Sequence, residues 1–98
     1  MKETTFYIIL NIKTADGVES VGKFFIGNDA YTANKIFQGL KGSGKVDEKT
    51  MLSLELTESV NGLPVNIKMI SCTLEELAEN CRIVTKEVFK VLNMKEML

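Results

Sequence analysis

The sequence predicts an α+β domain: a two-layer sandwich of ββα-ββα order, with a four-stranded antiparallel sheet and two helices on one face. Three observations carry this expectation. Asp16-Gly17 follows a run rich in β-branched and aromatic residues, and Asn61-Gly62 follows one that alternates leucine with polar residues, each the pattern of a tight hairpin. Apolar residues at helical spacing follow each hairpin. Thr73-Leu74-Glu75-Glu76 reads as a capping box that opens the second helix.

Residues 5–14 form the first expected strand. Its apolar run, Phe6 to Leu10, is interrupted by Asn11 and Lys13, and no small-residue cleavage site follows, so it is expected to be a strand rather than a secretory signal. No stretch approaches the ~18 apolar residues needed to span a bilayer. Asp16-Gly17 tolerates the positive φ angles of a type I′ turn, and residues 18–26 return as a second strand ending in Phe24-Phe25-Ile26. Asn28 or Asp29 can cap a helix over residues 30–40, because a short side-chain oxygen satisfies an orphan N–H. Ala33, Ile36, Phe37 and Leu40 give that helix one apolar face, and Gly39 through Gly44 end it.

Residues 51–59 alternate, with Leu52, Leu54 and Leu56 on one side and Ser53, Glu55 and Thr57 on the other. A two-residue turn at Asn61-Gly62 sets Leu54 opposite Met69, Leu56 opposite Ile67 and Glu55 opposite Lys68. That last pair is worth ~0.2–1 kcal/mol. Pro64 falls opposite Ser59 at a non-hydrogen-bonded position, which marks an edge strand. The helix that starts at Thr73 carries a stripe of Leu77, Cys81, Val84, Val88 and Val91, widened by Ala78, Phe89 and Leu92. Met94 to Leu98 either continue it or fray. The two ββα units, about 4–44 and 50–98, match in element order and turn chemistry. Their identities, beyond the turn glycines only Thr5 with Thr50 and Lys23 with Lys68, are too few to establish a duplication.

Composition narrows the function. The 98 residues suit one domain, 1–98, with 45% hydrophobic and 26% charged residues. Twelve basic against thirteen acidic residues leave a net charge of −1, too even to track a phosphate backbone or an anionic membrane. The chain has no histidine, which removes the commonest general base and metal ligand. Two cysteines without further ligands make no zinc site and suit a reducing, cytoplasmic setting. Cys72 precedes the second helix and is the one thiol that a helix N-terminus can activate. Cys81 falls on the apolar stripe and reads as core. Glu75, Glu76 and Glu79 suit the helix dipole and need no catalytic role. No enzyme and no cofactor are expected.

Gly39-Leu40-Lys41-Gly42-Ser43-Gly44-Lys45 matches the first seven positions of a phosphate-binding P-loop, but the eighth is Val46. A helix precedes the motif and a strand follows, the reverse of the required context. Weak anion contact through Lys41, Ser43, Gly44 and Lys45 is the most this stretch offers. Lys35 and Lys49 add charge nearby, but no aromatic residue lies between Phe37 and Phe89 to stack on bases, so nucleic acid is an unlikely partner.

The first hairpin carries the functional expectation. With Asp16-Gly17 as its loop, one face holds Phe6, Ile8, Leu10, Ile12, Val21 and Phe25, with Lys23 the exception. The other holds Tyr7, Ile9, Phe24 and Ile26. Two helices cover only one face, so the richer face is assigned to the core. Tyr7, Ile9, Phe24 and Ile26 become the interaction surface of a homodimer, sheet on sheet or edge to edge, or of another protein. Two alternatives stand against this: the C-terminal segment wraps round and covers the second face, or a β-bulge at Gly22 shifts the register. The expected protein is thus a cytoplasmic, non-enzymatic, self-associating interaction module. Small-ligand or anion binding through loop 39–45 is the alternative, and weak nucleic-acid binding comes third.

Overall fold

Runs of β-branched and aromatic residues become strands, and the helically spaced stretches become helices. The computed structural model describes residues 4–97, and in chain order they form β1 (Thr4–Thr14), β2 (Gly17–Phe25), α1 (Ala30–Gln38), β3 (Leu52–Val60), β4 (Leu63–Ser71) and α2 (Leu74–Met97). The protein is thus α+β, in ββα-ββα order. Helix α2 extends through Met97, so the expected tail continues the helix that far; Leu98 lies outside the described residues. The sheet runs β2-β1-β3-β4, and every neighbouring pair is antiparallel. The hairpins therefore join through their first strands, with Ile8 opposite Leu56 and Leu10 opposite Leu54. That arrangement places the apolar β1 and β3 at the centre and leaves β2 and the Pro64-bearing β4 at the edges.

One buried cluster unites the even-numbered side of the central strands with both helices. Phe6 and Ile8 of β1 and Leu54 and Leu56 of β3 meet Ile26, then Ala33, Ile36 and Phe37 of α1 and Val84 of α2. Leu10, Phe24, Leu40, Ile70, Leu77 and Val88 pack around them. The caps form as the sequence predicts. Asp29 accepts from the Thr32 amide at 2.9 Å. The Thr73 amide donates to the Glu76 carboxylate at 2.9 Å, and the Glu76 amide donates back to the Thr73 hydroxyl at 3.1 Å.

The hairpin registers differ from expectation. In the first, the loop is Ala15-Asp16, with Thr14 opposite Gly17. Among the described residues Asn61 is the one non-glycine residue with positive φ, so Ala15 and Asp16 both have negative φ and the left-handed angle falls on Gly17, at 123°. This is a turn closed by a glycine bulge rather than type I′. Thr14 locks it, its hydroxyl accepting from the Asp16 amide at 3.2 Å and donating to the Gly17 carbonyl at 2.9 Å. A second irregularity follows, because Asn11 opposes Ser20 while Leu10 opposes Gly22, so Val21 is the extra residue of a β-bulge. Beyond it Ile8 opposes Phe24, Tyr7 opposes Phe25 and Ile9 opposes Lys23.

A bulge also interrupts the second hairpin. The Asn61-Gly62 turn holds, with φ of 53° and 86°, and Ser59 opposes Pro64. Past Thr57 the register slips at Ile67, so Leu56 opposes Lys68, Glu55 opposes Met69 and Leu54 opposes Ile70. Ile70 thereby turns inward. The expected Glu55–Lys68 pair is replaced by a bond from the Asn66 amide to the Glu55 carboxylate at 2.7 Å.

Candidate functional site

The two hairpin bulges decide which side chains reach the uncovered face of the sheet. Of the four expected there, Tyr7 and Ile9 are on that face and half-buried. Phe24 and Ile26 are not. Phe24 opposes core-facing Ile8 and packs on the buried cluster, and Ile26 is 1% exposed within it. The correction has a simple cause: strand side chains alternate, so one extra residue moves everything beyond it to the other face. Turning Phe24 and Ile26 inward buries two large apolar side chains. Phe25 is sent out in exchange.

The outer face of the first hairpin consists of Tyr7, Ile9, Val21, Lys23 and Phe25. Val21 and Phe25 are 53% and 41% exposed. The Tyr7 and Phe25 rings meet edge to face, centroids 5.7 Å apart, and the Lys23 ammonium stands 4.1 Å from the Tyr7 centroid. Ile9, Val21 and Lys23 border a shallow open depression with Ser20 and Gly22. The face thus carries two apolar pairs, Tyr7 with Phe25 and Ile9 with Val21, and the Lys23 cation between them. The other half of the face is polar. Ser53, Glu55, Thr57 and Ser59 of β3 alternate with its core residues, and Asn11 accepts from the Ser20 hydroxyl at 2.6 Å.

The Gly/Lys-rich loop is tied down by its own backbone. Asn80 of α2, 0% exposed, accepts from the Lys41 amide at 2.6 Å and donates to the Lys41 carbonyl at 2.7 Å. Ser43 exchanges two backbone bonds with Ser71 at the β4 edge, both 2.8 Å. Gly42 lies so close to the Ser71 carbonyl that a Cβ there would overlap it. The Lys45 amide donates to the Ser43 hydroxyl at 3.2 Å. A phosphate cradle needs several backbone N–H groups aimed at one point, and those of Lys41, Ser43 and Lys45 are already engaged. Of the four residues expected to contact an anion, Gly44 alone has no such bond shown. Nearby, the Lys35 ammonium lies over the Tyr31 ring at 5.2 Å, and the Lys13 ammonium donates to the Glu48 carbonyl.

The chemical candidates are quiet. Cys72 is half-buried and its amide donates to the Leu52 carbonyl at 3.1 Å. Burial, then the Glu76 carboxylate and the Cys81 thiol, push its pKa upward, the opposite of what an activated nucleophile requires. Among the described residues, no group of three or more His, Cys, Asp or Glu is placed to hold a metal ion. No described helix is long and apolar enough to cross a membrane.

Sequence reasoning missed Phe25 and the bulged Val21 on the outer face of the first hairpin, and Asn80 buried beneath the Gly/Lys-rich loop. Gly22 was a signal for the bulge; nothing local marked Asn80. Compared with protein families, curated proteins and solved structures, the chain matches none.

Proposed function

We propose that the protein is a non-enzymatic interaction module that self-associates through the outer face of its first hairpin. One observation carries this reading. Tyr7, Ile9, Val21 and Phe25 bring four large apolar side chains to the outer side of the first hairpin, around Lys23. Clusters of this kind are uncommon on a lone monomer and usually mark a contact surface. Tyr7 suits a contact, with an apolar ring and a polar tip. The raised Cys72 pKa and the lack of histidine support a role without catalysis. The two free cysteines suit a reducing compartment such as the cytoplasm.

Sedimentation across micromolar concentrations tests this. The expected result is a concentration-dependent mass above the 10.9 kDa of one chain, lowered by Val21→Glu. Leu63→Glu makes the same change at a side chain 72% exposed on the second hairpin and is expected to leave the mass alone. A 10.9 kDa particle at every concentration, or equal effects of the two substitutions, overturns the proposal.

A further inference from the structure

The uncovered face of the sheet is uneven in size and in charge from strand to strand. Strand pairing sets its side chains in rows that cross the sheet. Lys23 of β2, Ile9 of β1 and Glu55 of β3 share one row, because Ile9 opposes both of the others. Phe25, Tyr7 and Thr57 share the next. Ser20, Asn11 and Ser53 share the row on the other side, with the bulged Val21 between it and Lys23. The β2 flank of β1 therefore carries a cation and two large side chains, Phe25 and Val21. The β3 flank carries an anion and two small side chains, Thr57 and Ser53, which are 5% and 6% exposed.

Both charges lack an ionic partner. Lys23 is exposed and Glu55 half-buried, and among the described residues neither is in an ion pair. The Lys23 ammonium rests over the Tyr7 ring at 4.1 Å. One Glu55 oxygen accepts from the neutral Asn66 amide at 2.7 Å, which leaves the carboxylate charge unopposed. Glu19, Glu58 and Lys68 oppose Ile12, Phe6 and Leu56 and so belong to the helix side. Lys13 lies on the outer side two rows from Ile9, and its ammonium donates to the Glu48 carbonyl.

We propose, resting on the reading that this face self-associates, that it stacks on the same face of a second copy about a twofold axis along β1. The charges select that axis. Rotation about β1 exchanges the two flanks, so Lys23 meets Glu55 of the second copy, and the symmetry repeats the contact. Stacked sheets lie about 10 Å apart, a gap that a lysine and a glutamate reaching toward each other close. The same rotation lays Phe25 over Thr57 and Val21 beside Ser53, large side chain onto small, and brings Ile9 to Ile9 at the axis. A twofold axis across the strands would set Lys23 on Lys23 and Glu55 on Glu55. An axis moved toward β2 would seat Lys23 on Ile9 and bury a cation without a partner. The contact thus extends beyond the first hairpin to β3.

Sedimentation of charge variants tests the axis. Lys23→Glu and Glu55→Lys each bring like charges together twice, and each is expected to raise the dissociation constant on the order of tenfold. Lys23→Glu/Glu55→Lys in one chain restores both contacts with their signs exchanged, and is expected to associate as wild type does. Its recovery separates a lost contact from lost folding, because it carries both substitutions.

The arrangement is overturned if either single variant associates as tightly as wild type, or if the double variant does no better than the single ones. Where Val21→Glu still weakens the wild-type dimer, those outcomes reject the axis and leave the self-associating face in place. A wild type that is monomeric at every concentration rejects both.

Discussion

Asn80 is the side chain whose removal is expected to reach furthest. It is fully buried, and its amide makes both of its hydrogen bonds to the backbone of Lys41, 39 residues earlier in the chain. Asn80→Ala deletes a donor and an acceptor together. Each hydrogen bond contributes ~0.5–1.5 kcal/mol net, so the pair is worth about 1–3 kcal/mol. A domain of this size has a total stability of roughly 5–15 kcal/mol. With a urea slope of ~1–3 kcal/mol per M, the unfolding midpoint is expected to fall by about 1 M. Asn80→Asp keeps the acceptor for the Lys41 amide but turns a carboxylate oxygen toward the Lys41 carbonyl, so it is expected to destabilise as well. Hydrogen exchange supplies a local readout, because the Lys41 amide loses its acceptor only in Asn80→Ala. A midpoint shift below about 0.3 M, at the slope above, with unchanged exchange at Lys41, refutes the clamp.

The bulge at Val21 predicts that adjacent phenylalanines behave differently. Phe24→Ala removes a ring packed on the core and is expected to cost about 3 kcal/mol. Phe25→Ala removes an edge-to-face contact and an exposed ring, and is expected to cost about 1 kcal/mol. Thermal melts that rank them the other way would restore the register without a bulge. The Asp29 cap predicts a pH effect. Hydrogen bonds from the Thr32 side chain and backbone hold its carboxyl below the ordinary 3.8. A carboxyl lowered in the folded state stabilises above its unfolded pKa, and that stability fades as pH falls through the folded one. The melting temperature of Asp29→Ala should therefore lie below wild type at pH 6 and converge with it as the solution is acidified below 3.8; a gap that stays constant on acidification counts against the cap.

Element order, the Asn61-Gly62 turn, both helix caps and the edge position of β4 were legible in the sequence. Each depends on residues within a turn or two of chain: φ tolerance at Asn61 and Gly62, the side-chain oxygens of Asp29 and Thr73, the missing N–H of Pro64. Strand order, the slip at Ile67, the choice of the bulge that Gly22 allowed and the burial of Asn80 came only with the tertiary structure. A slip of one residue at Val21 or Ile67 costs little locally, but it determines whether Phe24, Ile26 and Ile70 meet the helices or water. Such energies arise between residues far apart in the chain, and no local pattern encodes them. The sequence by itself established that the first hairpin is apolar on both sides. Only packing against the buried cluster, beside Ile8, decided that Phe24 turns inward and Phe25 outward.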